Sequence, residues 1–165
     1  DADVVLLAAA CSDRDGNLRL KINSANPTVS TASGDFIAAA DGAGGWEGQS
    51  WDREIEVASV TLDRLIEKYG VPEFIKVDVE GFEEQVLAGL SHQVRALSFE
   101  FTTIQRDVAF NCIARIERLG SHTYNVALGE SQQLVFDAPV TAREIHAYIA
   151  ELPHEANSGD VYAMA

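Results

Sequence analysis

An α/β fold built on a mostly parallel sheet, with antiparallel strands late in the chain, is what this sequence predicts, and three observations carry it. Between Glu54 and Leu119 strand-like and helix-like stretches alternate, the pattern of a parallel sheet with helical crossovers. Phe74-Ile75-Lys76-Val77-Asp78-Val79-Glu80-Gly81 reads as a β-branched strand that ends in carboxylates, turns on glycine and enters a helix. Near the end, Tyr124–Leu128, Gln133–Phe136 and Asp160–Met164 read as strands, the first two across a Gly129-Glu130-Ser131 turn, which suits antiparallel pairing.

Taken in order, Val4–Ala10 is a continuous apolar run of the kind a buried parallel strand shows, bounded by Cys11-Ser12-Asp13. Asp15-Gly16-Asn17 signals a turn, and Leu18–Ile22 alternates apolar and charged residues, so these two stretches are expected to pair at one side of the sheet. From Asn23 to Asp52 the chain is rich in Ser, Thr, Ala and Gly and reads as a long loop, either a lid that covers a substrate or a disordered segment, with Phe36, Ile37, Trp46 and Trp51 as its only large anchors. Its glycines do not sit between a buried strand and a helix start, so they do not read as a phosphate cradle.

Glu54–Val60 alternates as a strand, and Thr61 caps a helix whose inner face is Leu62, Leu65, Ile66 and Tyr69, closed by Gly70 and Pro72. The Phe74 strand follows. A helix from Phe82 to about Leu90 buries Phe82, Val86, Leu87 and Leu90, and Ala96–Phe101 is the next strand. Val108, Cys112, Ile113, Ile116 and Leu119 mark a helix stopped by Gly120, which makes Cys112 a core residue. Thr141-Ala142-Arg143-Glu144 is a capping box opening a helix with Ile145, Tyr148, Ile149 and Leu152 inward.

Bulk properties narrow the function. The 165 residues suffice for a single domain, 1–165, with its own core. A net charge of -14, from 12 Lys and Arg against 26 Asp and Glu, repels phosphate backbones and argues against nucleic acid. No apolar run reaches membrane-spanning length. Cys11 and Cys112 form no framework or metal-ligand spacing, so a reducing, cytoplasmic setting is expected. His92, His122, His146 and His154 likewise share no ligand spacing.

The candidate site is the acidic end of the Phe74 strand. Alternation puts Lys76, Asp78 and Glu80 on one side and Ile75, Val77 and Val79 on the other. Charges on a central strand need partners or a cleft, and in open α/β sheets ligands bind beyond the carboxyl ends of the strands. Glu100, near the end of the Ala96–Phe101 strand, falls beside Asp78 if the two strands are neighbours. The bland alternative is that Lys76 pairs with one carboxylate and Glu80 caps the helix.

Read as an ordered series, Val60-Thr61-Leu62-Asp63-Arg64-Leu65, Val71–Gly81, Leu87-Ala88-Gly89-Leu90 and Phe99-Glu100 resemble the FkbM-type methyltransferases. Ala10–Asp13 with Asp15-Gly16, and Gly159–Ala163, are similar to that family's earlier and closing strands. The resemblance implies a Rossmann-like class I fold that moves a methyl group from S-adenosylmethionine to a hydroxyl oxygen of a small acceptor, a sugar or secondary metabolite. It also implies a first strand, glycine-rich turn and second strand that are not found here. The chain is therefore expected to be a piece of a longer domain, with a buried sheet edge that re-pairs or recruits a second copy into a homodimer.

In that reading Asp78 or Glu80 is the general base, Glu100 orients the acceptor, Lys76 tunes or pairs with the carboxylates, and Ser12 and Asp13 are cofactor-binding candidates by position. Asp78, Glu80 and Glu100 could instead gather a divalent cation through oxygen ligands. A non-catalytic α/β binding or assembly module is the competing class.

Overall fold

Several helix ends in the computed structural model, which describes residues 4–131 and 133–165, follow local signals in the chain. The elements are β1 (Ala10–Cys11), β2 (Gly16–Ile22), α1 (Gly34–Ala40), β3 (Arg53–Val60), α2 (Leu62–Tyr69), β4 (Ile75–Val77), α3 (Glu83–Ala88), β5 (Ala96–Thr102), α4 (Arg106–Leu119), β6 (Thr123–Leu128), α5 (Ala142–Glu151) and β7 (Ser158–Met164). At the start of α2 the Thr61 hydroxyl accepts from the Arg64 N–H, and Gly70 ends the helix at φ +89°. The capping box of α5 is formed in full, Thr141 and Glu144 each accepting the other's backbone N–H.

The strands form two mixed sheets rather than one mostly parallel sheet. The first has the order β1-β3-β2 and the second β4-β5-β7-β6. Only β1 with β3 and β4 with β5 are parallel; β2 with β3, β5 with β7 and β6 with β7 are antiparallel. The closing strand β7 returns between β5 and β6, which makes the late part of the sheet antiparallel, as its strand-turn pattern suggests.

The core lies where α3 packs on α4, α4 on β5 and α5 on β6. Leu97, Phe99 and Phe101 of β5 belong to one buried apolar cluster with Val86 and Leu87 of α3, Cys112 and Ile116 of α4, and Ile145 and Ile149 of α5. Burying each of the larger of these side chains stabilises the fold by about 1.5–3 kcal/mol before entropy is counted.

Several expectations are corrected. The apolar run Val4–Ala10 does not form a buried strand: only Ala10 pairs, and Val4, Val5, Leu6 and Leu7 stay exposed, Leu6 at 90%. β1 and β2 do not pair with each other; β3 lies between them. The stretch from Asn23 to Asp52 is not a plain loop. Ser33 caps α1 by accepting the Phe36 N–H, and Val29, Phe36, Ala40 and Trp46 form a second small core. Tyr69, assigned to the inner face of α2, is exposed. Gln133–Phe136 makes only an isolated bridge from Leu134 to Ala127. The edge expected to open beside the Phe74 strand is open and does not re-pair among the described residues: β4, three residues long, ends its sheet, and Lys76 and Asp78 on its charged side are exposed.

Candidate functional site

The acidic site is assembled by register. Parallel pairing sets Lys76 opposite Ser98 and Val77 opposite Phe99, so the next pair along brings Asp78 level with Glu100. Beyond β4 the backbone turns through Glu80 at φ +54° and Gly81 at φ +81°. Glu80 thus holds a left-handed conformation that a non-glycine residue adopts only when its surroundings impose it. Carboxylate oxygens of Asp78, Glu80 and Glu100 all lie within 4.8 Å of one another, Asp78 exposed and the two glutamates half-buried.

Three contacts impose the turn. Glu83, buried at 2% exposure, accepts the N–H groups of Val79 and Gly81 with Oε1, both at 3.2 Å. Thr31, fully buried, donates its hydroxyl to the Glu80 carbonyl at 2.6 Å. Phe36 and Gln105 close against Gly81 so tightly that an added Cβ would stand 2.7 Å from the phenylalanine Cβ and 2.6 Å from the Gln105 Oε1. A glycine is required at position 81 both by its dihedral angle and by this lack of space.

Charge in this corner is unbalanced. Lys76 reaches Asp78 at 3.4 Å and hydrogen-bonds Asp160, which antiparallel pairing places opposite Glu100. Burial opposes the ammonium form of Lys76, yet Asp160 and then Asp78 outweigh it and raise its pKa. Burial, then the charges of Asp78 and Glu83, pushes the Glu80 carboxyl up to about 7. Burial, then Glu80 and Asp78, pushes Glu100 up to about 9. Glu83 is raised mainly by its burial, partly offset by the N–H groups it accepts.

Chemically, Glu80 and Glu100 stand side by side and each holds a proton more tightly than a free carboxyl, so the cluster as a whole is suited to proton exchange. A polar cavity of about 460 Å³ opens beside Asp78 and Glu100, lined also by Lys76, Tyr162 and Asp160 among others; Glu80 borders the cluster but not this cavity. The same three carboxylates have the spacing and oxygen chemistry to hold a hard divalent ion.

Of the residues singled out by sequence, Asp78, Glu80, Glu100 and Lys76 are gathered here. Ser12 and Asp13 are not. They follow β1 of the other sheet, where the Ser12 hydroxyl donates to Asp13 and the Ser12 N–H to the Val60 carbonyl. Glu83, Thr31, Gln105 and Asp160 were missed. Glu83 carried a signal in its place at the third position after Glu80, within reach of the turn's free N–H groups; Thr31 carried none, being 49 residues away.

Two further features bear on class. No helix among the described residues is long and apolar enough to cross a membrane. Neither the curated proteins nor the solved structures that were searched hold a match to this chain. Residues 2–152, however, match the family model for the methyltransferase FkbM domain. That span covers most of the chain and includes the acidic turn, and the chain belongs to the FkbM methyltransferase family.

Proposed function

We propose that this chain carries the acceptor side of an S-adenosylmethionine-dependent O-methyltransferase with a Rossmann-like sheet, working on a hydroxyl of a small neutral metabolite. The observation that supports it most is the convergence of Asp78, Glu80 and Glu100 within 4.8 Å at the carboxyl ends of β4 and β5. S-adenosylmethionine, when bound, supplies an electrophilic methyl group on sulfur. Glu80 accepts the proton of the acceptor hydroxyl, Glu100 donates a hydrogen bond that fixes the acceptor's orientation, and Asp78 accepts a second one. Lys76 holds Asp78 and Asp160 in place through its ion pairs.

The fit of the methyl donor to the described residues is incomplete. A hydroxyl acceptor suits the carboxylate corner, whereas the donor's adenosyl and amino-acid portions find only Ser12 and Asp13 as candidates, and the Ser12 hydroxyl is already engaged by Asp13. The outer edges of β1 and β4 are also free of strand partners among the described residues. This supports a longer chain whose preceding residues complete the sheet and the donor site, with a homodimer through the β4 edge as the fallback of the shorter piece.

Calorimetric titration with S-adenosylmethionine, on this chain and on a version extended at the amino terminus, tests the reading. Binding by the extended protein alone is the expected result, and binding by neither removes the proposal. A second reading, a divalent ion held by the three carboxylates, is favoured by their spacing alone. Titration with magnesium and manganese, compared between wild type and Glu100→Gln, decides it.

A further inference from the structure

Beneath the acidic turn lies a small cavity of about 10 Å³, room for the centre of one water molecule. Its walls include Gly81, Glu83, Glu100, Thr102, Gln105 and Val108. Gln105 is buried, and its Oε1 has no hydrogen-bond partner among the described residues. The same oxygen rests against Gly81, where an added Cβ would stand 2.6 Å from it. A buried acceptor left in that state is costly, and native structures answer such groups with water where room and further polar partners exist.

The further partners are present. α4 starts directly after Gln105 with no side chain capping it, and Val108, in its first turn, lines the cavity. First-turn N–H groups have no partner within their own helix and need one from outside. Glu100 is the one described residue that lines both this cavity and the polar cavity of about 460 Å³ beside Asp78. An anion here would face Glu83, Glu100 and the Gln105 oxygen, and a cation would face the positive end of α4. Water, which donates and accepts, suits both halves of the lining.

We infer that one ordered water occupies this cavity, donating to Gln105 Oε1, accepting from the first turn of α4 and bonded to the Glu100 carboxyl, and that Gln105 is thereby a positioning residue for Glu100. The water site stands on the cavity and the orphaned oxygen alone, whereas the use made of Glu100 rests on the methyl-transfer reading.

In the isotope-labelled chain, Overhauser contacts with a long-lived water are expected at the Val108 N–H and the Gln105 side chain. Gln105→Met keeps the bulk and deletes the acceptor. With the water in place the variant forfeits a bond and the urea midpoint falls; with the oxygen truly orphaned it removes a penalty and the midpoint rises. In the amino-terminally extended protein, Gln105→Met should lower kcat about tenfold and leave the KM for S-adenosylmethionine unchanged, because only the acceptor is misaligned. Absence of the water contacts or a raised midpoint overturns the water site. An undiminished kcat, or a donor KM that worsens as much as kcat does, overturns the positioning role. An inactive wild type in the extended form removes the methyl-transfer reading alone, and the first two measurements still decide the water site.

Discussion

Thr31 donates its hydroxyl to the carbonyl of Glu80 at 2.6 Å, tying the stretch between Asn23 and Asp52 to the turn that presents the acidic cluster. Thr31 is fully buried and its hydroxyl also accepts the Ser33 N–H, so it cannot be replaced by water without opening the structure. Thr31→Val keeps the shape and deletes both bonds. The expected loss is about 1–3 kcal/mol of stability, read as a lower urea midpoint with an unchanged slope. An unchanged midpoint would show that the two segments are held together by other contacts.

Gly81 stands at φ +81° with Phe36 and Gln105 in the way of any side chain. Gly81→Ala combines an unfavourable backbone conformation with overpacking, and about 2–4 kcal/mol of destabilisation follows. Phe36→Leu made in the same chain relieves part of the crowding, so the double variant should be more stable than the sum of the single effects. Strict additivity would contradict the contact.

Stability should depend on pH through the crowded carboxyls. Glu80 at about 7 and Glu100 at about 9 both stand above the ordinary 4.5. Between roughly pH 4.5 and 9 the folded state thus binds more protons than the unfolded one, and stability falls as pH rises. Glu100→Gln is neutral at every pH; it should flatten that fall and add about 1–2 kcal/mol at pH 8, the charge energy being discounted for solvent screening. Urea unfolding at pH 5, 7 and 9 measures the slope. A wild-type stability that climbs over this range would contradict the assignment.

Local signals were legible wherever a side chain acts on its own segment. Thr61, Gly70 and the Thr141–Glu144 box end or begin helices where the chain says they should. Glu100 beside Asp78 was legible too, because parallel neighbours place their carboxyl ends on the same side of the sheet. What local pattern could not supply was long-range competition. Val4–Ala10 has the composition of a buried strand, yet a strand forms only where a partner edge is offered, and β3 accepts just Ala10 and Cys11. The small core of Val29, Phe36, Ala40 and Trp46 was hidden because its members are spread among Ser, Ala and Gly without a clean period.

Exposed apolar residues and a free strand edge each favour self-association. Val4, Val5 and Leu6 are 63%, 63% and 90% exposed, and β4 ends its sheet. Sedimentation velocity should show mass rising with protein concentration, more strongly at high salt, where the net charge of -14 repels less. Leu6→Lys should shift the curve toward monomer. A concentration-independent monomer would remove the homodimer.

The most direct measurement of the central claim is transfer of tritiated methyl from S-adenosylmethionine into a hydroxyl-rich metabolite extract by the amino-terminally extended protein and its Glu80→Gln and Asp78→Asn variants. The account predicts labelled product with wild type, a loss on the order of 100-fold with Glu80→Gln, and a lesser loss with Asp78→Asn. Cofactor affinity should hold within about threefold, since the carboxylates act on the acceptor. Undiminished labelling by Glu80→Gln would contradict the assignment of the acidic turn as the reacting site.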